Sequence, residues 1–313
     1  MEALMASLSV VIPTYNRGEI LLNTIDILLN QDQLADEIFI VDQTYYDEGN
    51  NVAIELAQLH ESNKITWIQL DKPSIPHAMN VGLHKAKSNY VLFLDDDVLF
   101  TPSFIAQHKL SQKQSNYHAY VGQILQPWQA EISLDGYLSK SGFLADLDFP
   151  FHSNRDTEVR NCMAGNLCVN RQSAIDIGGF DQQFSGAAYR FETEFCRRMV
   201  LHKKQPFLFS ANATLNHLKF ESGGTRKHAK NHLTSLSAAH SVGDYYFALC
   251  QFKQFGQPRE TLVYILKRLF GSVIAKFYLK KPWWIPVRLI AEFLGLVSGL
   301  RKALIGPKYY DFN

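Results

Sequence analysis

The sequence predicts an α/β protein, a sheet flanked by helices, followed by a helical C-terminal extension. Three observations carry this. Over the first 125 residues short apolar runs alternate with longer segments of helical spacing. The runs are apolar throughout, as parallel strands covered on both faces require. The last 70 residues or so are helical in pattern, basic and rich in aromatic residues.

The elements follow in order. Residues 8–13 (LSVVIP) form a first strand, and 18–30 a helix with Ile20, Leu21, Thr24, Ile27 and Leu28 at helical spacing. Residues 37–42 (EIFIVD) are a second strand and 51–60 a second helix. Residues 64–69 are a third strand, and 76–86 a helix with Pro76 in its first turn. Residues 90–94 (YVLFL) are a fourth strand and 102–114 a fourth helix. From 125 to 160 the pattern becomes irregular, and a long irregular segment inside a compact domain is often functional. Residues 165–169 resume as a strand, 171–177 and about 191–202 as helices, and 206–209 and 213–216 as two short strands. Ligands of such sheets sit beyond the carboxyl ends of the strands. Those ends carry Thr14-Tyr15-Asn16-Arg17, Asp42-Gln43-Thr44 and Asp95-Asp96-Asp97, which would converge on one cleft.

Composition excludes several classes. Of 313 residues, 46% are apolar and 19% charged, which rules out bulk disorder. A net charge of +1 argues against nucleic acid as a partner. The 4 cysteines form no CxxC pair, so neither a disulfide scaffold nor a structural zinc site is expected, and free thiols fit a reducing cytoplasm. The N-terminal segment lacks the basic and apolar regions of a secretory signal. No stretch of about 20 residues is free of charge, as a spanning helix would need; the nearest, 283–300, contains Arg288 and Glu292. The charge is split. Residues 243–313 hold 11 Lys/Arg and 4 Asp/Glu, a balance of +7, which leaves −6 for the rest. Such asymmetry suggests that one end meets an anionic surface.

Three adjacent carboxylates at a buried sheet edge repel one another unless a cation is present. In an extended segment Asp95 and Asp97 share a face and Asp96 opposes them. Hard oxygen donors suit Mg²⁺ or Mn²⁺, usually held by one or two carboxylates plus substrate phosphates. Neither GxGxxG nor GxxxxGK[ST] follows the first strand, which argues against a dinucleotide oxidoreductase and a P-loop NTPase.

These residues resemble glycosyltransferase family 2. SVVIPTYNR (9–17) resembles the family's opening strand and turn, and IVD (40–42) its second strand. Asn80-Val-Gly82 followed by YVLFLDDD (90–97) resembles the central block ending in a DxD-type motif. AGNLCVNR (164–171) and GGFD (178–181) resemble the start of the acceptor half. The resemblance spans roughly residues 7–220. It implies the GT-A fold, Rossmann-like with a mixed, mostly parallel sheet, and inverting transfer of a sugar from a UDP-, GDP- or dTDP-sugar to an acceptor hydroxyl, in cell-surface polysaccharide or glycolipid synthesis.

Carried over, Thr14, Tyr15, Asn16, Arg17, Asp42, Asn80, Asp95 and Asp96 would bind the donor. Asp97 would bind Mn²⁺ or Mg²⁺, and His217, after the strand at 213–216, would complete the metal shell. Glu192 in FETEF (191–195) takes the position of the family's base, with Glu194 as a structural or helix-dipole partner. Trp128, Asn166 and Glu194 fall on the acceptor side. In ESGGTR (221–226) two glycines and Arg226 suit a loop over the diphosphate. Gln43-Thr44, Pro73 to Pro76, Met79 and Phe191 depart from the family's usual residues and bear on nucleotide and sugar preference.

The domain reading is a catalytic unit over 1–226, with a nucleotide-sugar half to about 125 and an acceptor half over 126–226, then a helical extension over 227–313. Residues 261–279 read as one amphipathic helix with Leu262, Ile265, Leu266, Leu269, Val273 and Phe277 opposite Lys267, Arg268 and Lys276. Basic and aromatic residues flanking apolar helices resemble interfacial anchors, so peripheral attachment to the cytoplasmic leaflet, near a lipid-linked acceptor, is expected. Packing on the catalytic unit, or a homodimer interface, would use the same helices. Two other functions remain: a glycan-binding or assembly protein with the fold but no catalysis, and a sugar nucleotidyltransferase. Intact Asp95, Asp97 and Glu192 favour an enzyme, and the missing Gly-rich loop after strand one disfavours the nucleotidyltransferase.

Overall fold

The computed structural model describes residues 7–134, 137, 139, 142–220, 222–224, 234–274 and 276–312. One nine-stranded sheet runs through the molecule. Its N-terminal part is β1 (Leu8–Thr14), β2 (Glu37–Asp42), β3 (Thr66–Gln69) and β4 (Tyr90–Leu94), paired in parallel in the order β3-β2-β1-β4. Between them lie α1 (Glu19–Leu29), α2 (Asn51–Glu61) and α3 (Ile75–Lys85). α1 turns Leu21, Leu22, Ile25 and Leu28 into one core layer. α2 starts where the Asn50 side chain accepts hydrogen bonds from the N–H groups of Val52 and Ala53.

The second half of the sheet is mixed. It contains β5 (Val98–Phe100), β6 (Ala119–Leu125), β7 (Thr157–Val159), β8 (Asn166–Asn170) and β9 (Phe207–His217), with α4 (Phe104–Gln114), α5 (Arg171–Asp176) and α6 (Phe191–Lys203) between. β8 is antiparallel to β4 and to β6, β9 is parallel to β6, and β5 and β7 are antiparallel to β9. The sheet is mixed, with its N-terminal half parallel and helices on both faces, as the sequence predicts.

Four details differ from that reading. β9 is one strand where two were expected, because its pairing with β6 shifts register between Gly122 and Ile124 instead of breaking. β5, β6 and β7 were not legible as strands: β6 carries Gly122 and the fully buried Gln123, whose side chain bonds Ser153 O and Thr214. The expected helix over 261–279 is broken at Ser272, so α8 (Pro258–Gly271) is separate from α9 (Lys276–Lys280). The stretch 125–160, expected to be irregular throughout, contains the whole of β7, and the rest of its described part is irregular and organised by buried Asp146, which accepts hydrogen bonds from Tyr137 Oη, Ser139 Oγ and Arg160 N–H.

The C-terminal helices are α7 (Ala239–Phe255), α8, α9, a 3₁₀ turn at Pro282–Trp284 and α10 (Ile285–Ile305). α7 supplies Tyr246, Phe247, Ala248 and Cys250 to the same core as β4, β8 and α6. Tyr246 Oη donates to Asp181 Oδ2 at 2.5 Å, and Asp181 Oδ1 accepts the Lys308 N–H at 2.8 Å, so the extension is pinned to the GGFD turn.

Candidate active site

The carboxyl ends of β1 and β4, the turn before β8, the start of α6 and the end of β9 surround one cavity of about 310 Å³. Thr14, Tyr15, Arg17, Asp95, Asp96, Asp97, Glu192 and His217 all line it. Residues 175 and more positions apart in sequence meet because parallel strands bring their carboxyl ends to one sheet edge.

The acids divide as alternation along an extended segment requires. Asp96 turns inward: Thr14 Oγ1 donates to its Oδ2 at 2.8 Å and Arg17 Nε to its Oδ1 at 2.8 Å. Asp95 and Asp97 flank His217, whose Nε2 lies 3.3 Å from Asp95 Oδ2 and 3.5 Å from Asp97 Oδ1. The Asp95 side chain is 43% exposed, that of Asp97 1%. Asp97 Oδ2 accepts the Phe220 N–H at 3.0 Å, while its buried Oδ1 accepts no hydrogen bond. Lys219 N–H donates to His217 Nδ1 at 2.9 Å, which assigns the ring proton to Nε2. Burial pushes the Asp96 carboxyl up to about 7, against the opposing pull of Arg17. Burial also raises Asp97, opposed by His217 and Arg17.

Arg17 closes the cavity on the β9 side. Its Nη2 lies 3.3 Å from Asp97 Oδ2, and its Nη1 donates to Ser222 O at 2.8 Å and Phe220 O at 3.3 Å. Gly224 N–H donates to Tyr15 O at 2.7 Å. A Cβ at Gly223 would stand 2.3 Å from the Asn16 carbonyl oxygen, and its φ is +78°. A glycine is therefore required where this loop crosses the first turn.

Other expected site residues lie off the cavity wall. Asn16 gives its N–H to Thr44 Oγ1 and has φ 54°. Asp42 is fully buried, with Trp67 Nε1 on Oδ2 at 3.1 Å and Thr44 N–H on Oδ1 at 2.9 Å. Asn80, expected at the donor, spends its amide on Phe180: Nδ2 donates to the Phe180 carbonyl and Oδ1 accepts its N–H. Asn166, expected on the acceptor side, is fully buried between strands, donating to Gln123 O and Ala213 O and bonding His108 Nε2. Glu194 is buried and bidentate to Arg198, which in turn donates to Ile177 O and Gly179 O. These three polar side chains are spent within the fold, Asn80 and Asn166 on buried backbone groups and Glu194 on the buried Arg198 guanidinium. Trp128 is exposed and away from the cavity. Arg226 lies outside the described residues.

Gln43, Ile75 and Met79, among the departures from the family's usual residues, line the cavity too, and it also uses residues that sequence reasoning did not single out: Met163, Lys219 and Phe220. Only Lys219 and Phe220 carried a signal, their adjacency to His217.

Comparison with known proteins agrees with this layout. The glycosyl transferase family 2 model matches residues 9–176, more than half of the chain. The Campylobacter jejuni GalNAc(5)-diNAcBac-PP-undecaprenol β-1,3-glucosyltransferase is 29% identical over 185 residues, covering 58% of this chain and 57% of that protein. The chain thus spans little more than half the length of this curated relative. The crystal structure of Staphylococcus aureus TarS residues 1–349 with UDP-GlcNAc aligns at TM-score 0.60 and 16% identity, covering 90% of this chain and 79% of that one. The Pyrobaculum calidifontis mannosyltransferase with GDP-Man and Mn²⁺ aligns at TM-score 0.55 and 13% identity, covering 95% and 76%. The fold is GT-A, and the chain belongs to glycosyl transferase family 2.

Proposed function

We propose that the protein transfers a sugar from a nucleoside diphosphate donor to a hydroxyl of a glycan or lipid-linked acceptor, with inversion at the anomeric carbon and with Mn²⁺ or Mg²⁺. The observation that carries this is the single cavity in which Asp95, Asp97 and His217 face Glu192 beside the β1 turn. The relative acting on a PP-undecaprenol-linked substrate, and the neighbours holding UDP-GlcNAc or GDP-Man with Mn²⁺, support the substrate classes.

The residues fit a divalent cation. Asp97 Oδ1 is a buried oxygen that accepts no hydrogen bond, with Asp95 and His217 beside it. Among the described residues no group of three or more His, Cys, Asp or Glu side chains is already arranged as a metal cage. An ion of the Mg²⁺ or Mn²⁺ kind usually takes one or two carboxylates and completes its shell with substrate phosphates. Asp97 with Asp95 would hold it, and His217 would join through Nε2 only with the ring proton moved to Nδ1 and the Lys219 N–H released; when bound it would offset the charge of the departing diphosphate.

Inversion in one displacement needs one base. Glu192, in the first turn of α6 and on the cavity wall, takes the proton of the acceptor hydroxyl as its oxygen attacks the anomeric carbon. The sugar–phosphate bond breaks on the opposite face. Thr14 and Arg17 hold Asp96 in place, and Tyr15 with the Gly223–Gly224 loop lines the donor side.

Donor turnover with UDP-, GDP- and dTDP-sugars, with and without Mn²⁺, tests the reading. Glu192→Gln is expected to lower turnover by about 10²–10⁴ with the melting temperature unchanged. Asp97→Ala is expected to remove both activity and Mn²⁺-dependent stabilisation. Full activity in both variants would overturn the assignment.

A further inference from the structure

The C-terminal helices present their apolar faces outward. In α10 the buried side holds Arg288, Glu292, Gly295 and Gly299. Glu292 accepts hydrogen bonds from Ser241 Oγ and Tyr245 Oη of α7, each at 2.8 Å, and pairs with Arg288. A Cβ at Gly295 would meet Ser241, and one at Gly299 would meet Tyr245, so α10 lies in close contact along α7. The opposite side carries Ile290, Phe293, Leu294, Leu300, Leu304 and Ile305, all exposed, Phe293 at 59% and Ile305 at 78%. α8 repeats the arrangement. Thr261 is buried and Arg268 reaches Asp244 and Glu292, while Leu262, Val263, Leu266 and Phe270 face out.

Between Leu262 and Ile305, 13 large apolar side chains are exposed. Scattered singly such residues need no explanation, but grouped on adjoining helices they mark an interaction surface. The charge pattern states its sign. Asp244 and Glu292 are offset internally by Arg268 and Arg288. The +7 excess of residues 243–313 is therefore carried outside, by exposed residues that include Lys253, Arg259, Lys267, Lys276, Lys280 and Lys281.

We infer that the outer faces of α8 and α10 dock on an anionic lipid bilayer. A second copy of the chain would set the same basic surface against itself, since a two-fold contact uses one patch on both partners. A bilayer with acidic headgroups offers the opposite sign at its surface and an apolar layer just beneath, and lysine stems reach between the two. The stretch Pro282–Ile305 is the one helix among the described residues long and apolar enough to cross a membrane. Its Glu292 is bonded to α7 and pairs with Arg288, however, so one face is available for an interfacial seat and the other is committed to the protein. The inference does not depend on transfer chemistry; a catalytically silent protein would dock in the same way.

Co-sedimentation of the full chain with phosphatidylcholine vesicles, with and without phosphatidylglycerol, tests it. Binding is expected with phosphatidylglycerol only, and to weaken as salt is raised. Replacing Lys267, Lys276 and Lys280 by Gln together is expected to weaken binding about 100-fold, near five-fold per lysine. Phe270→Ser with Phe293→Ser is expected to weaken it more than about 10-fold without lowering the melting temperature. No binding to phosphatidylglycerol vesicles, equal binding to phosphatidylcholine alone, or binding unchanged in both variants would overturn the inference. So would a dimer in light scattering that Phe293→Ser dissociates, since a second copy would then cover this face.

Discussion

Gly165→Ala should damage the site by moving the Asp95 carboxylate although no proposed metal-binding residue is replaced. A Cβ at residue 165 would stand 2.1 Å from Asp95 Oδ2 and 2.4 Å from its Cγ, where real contacts keep 3.0 Å or more. The carboxylate must therefore withdraw by about 1 Å, and a misplacement of that size costs about 10²-fold in rate. At 1.36 kcal/mol per decade this is about 2.7 kcal/mol of transition-state stabilisation. The cost to folding should be small, because the Asp95 side chain is 43% exposed and can swing toward solvent. The assay is donor turnover as a function of Mn²⁺, with thermal melting alongside. The expected result is a large loss of kcat/KM, a higher Mn²⁺ half-saturation and an unchanged melt. In an Asp95→Ala background the Gly165→Ala effect should vanish, because the clash has lost its partner. Turnover and Mn²⁺ response within about threefold of wild type would refute the reasoning, since a 1 Å displacement of a reactive group is not tolerated so cheaply.

Three further outcomes concern the framework. Burial holds His108 neutral, pushing it down to about 4 from an ordinary 6.5. The unfolded chain takes up this proton first, so the contribution is complete above pH 6.5 and is lost as pH falls toward 4. By pH 5 the loss amounts to about 2 kcal/mol, which urea titrations of wild type and His108→Gln at pH 7.5 and 5 should show as a difference in pH slope. Asn80→Ala should cost about 2–4 kcal/mol in denaturant titration, because the buried N–H and C=O of Phe180 both lose their partner, with donor affinity unchanged. Glu292→Ala should cost about 3–5 kcal/mol in the same measurement, since it removes the carboxylate that buried Arg288 pairs with.

The N-terminal half was legible because its strands are covered on both faces, so hydrophobicity alone marks β1, β2 and β4. β6 escaped because its interior includes a glycine and a buried glutamine, and a polar residue satisfied by distant partners looks like a loop residue in a linear sequence. The same limit explains the site. Asp95, Asp96, Asp97, Thr14 and Arg17 were legible because they follow strands whose ends topology brings together, whereas Glu192 and His217 entered through the family resemblance; all seven line one cavity. Asn80, Asn166 and Glu194 stand in equally suggestive motifs. Their partners are backbone groups of Phe180, Gln123 and Ala213, and the Arg198 guanidinium. Nothing in residue type separates an amide that binds a ligand from one that satisfies a buried carbonyl. Only the identity of its neighbours does so.

That distinction also explains how three carboxylates coexist at one buried edge. Asp96 is answered within the protein: Thr14 and Arg17 hold both of its oxygens, and burial raises it to about 7, which lowers the charge it adds to the cluster. Asp95 and Asp97 are left on the cavity side with the His217 ring between them, and Asp97 Oδ1 accepts no hydrogen bond. Arg17 pairs with the inward Asp96 through Nε and also stands 3.3 Å from Asp97 Oδ2 through Nη2, so one protein cation serves the inward acid and one of the outward pair. Arg17 also donates to Phe220 O and Ser222 O, so the residue that neutralises Asp96 is the one that draws the loop after β9 across the cavity. Neutralisation of the cluster and closure of the donor side are therefore one interaction. A change at Arg17 should disturb both together, whereas a change at Asp95 should disturb only the outward pair.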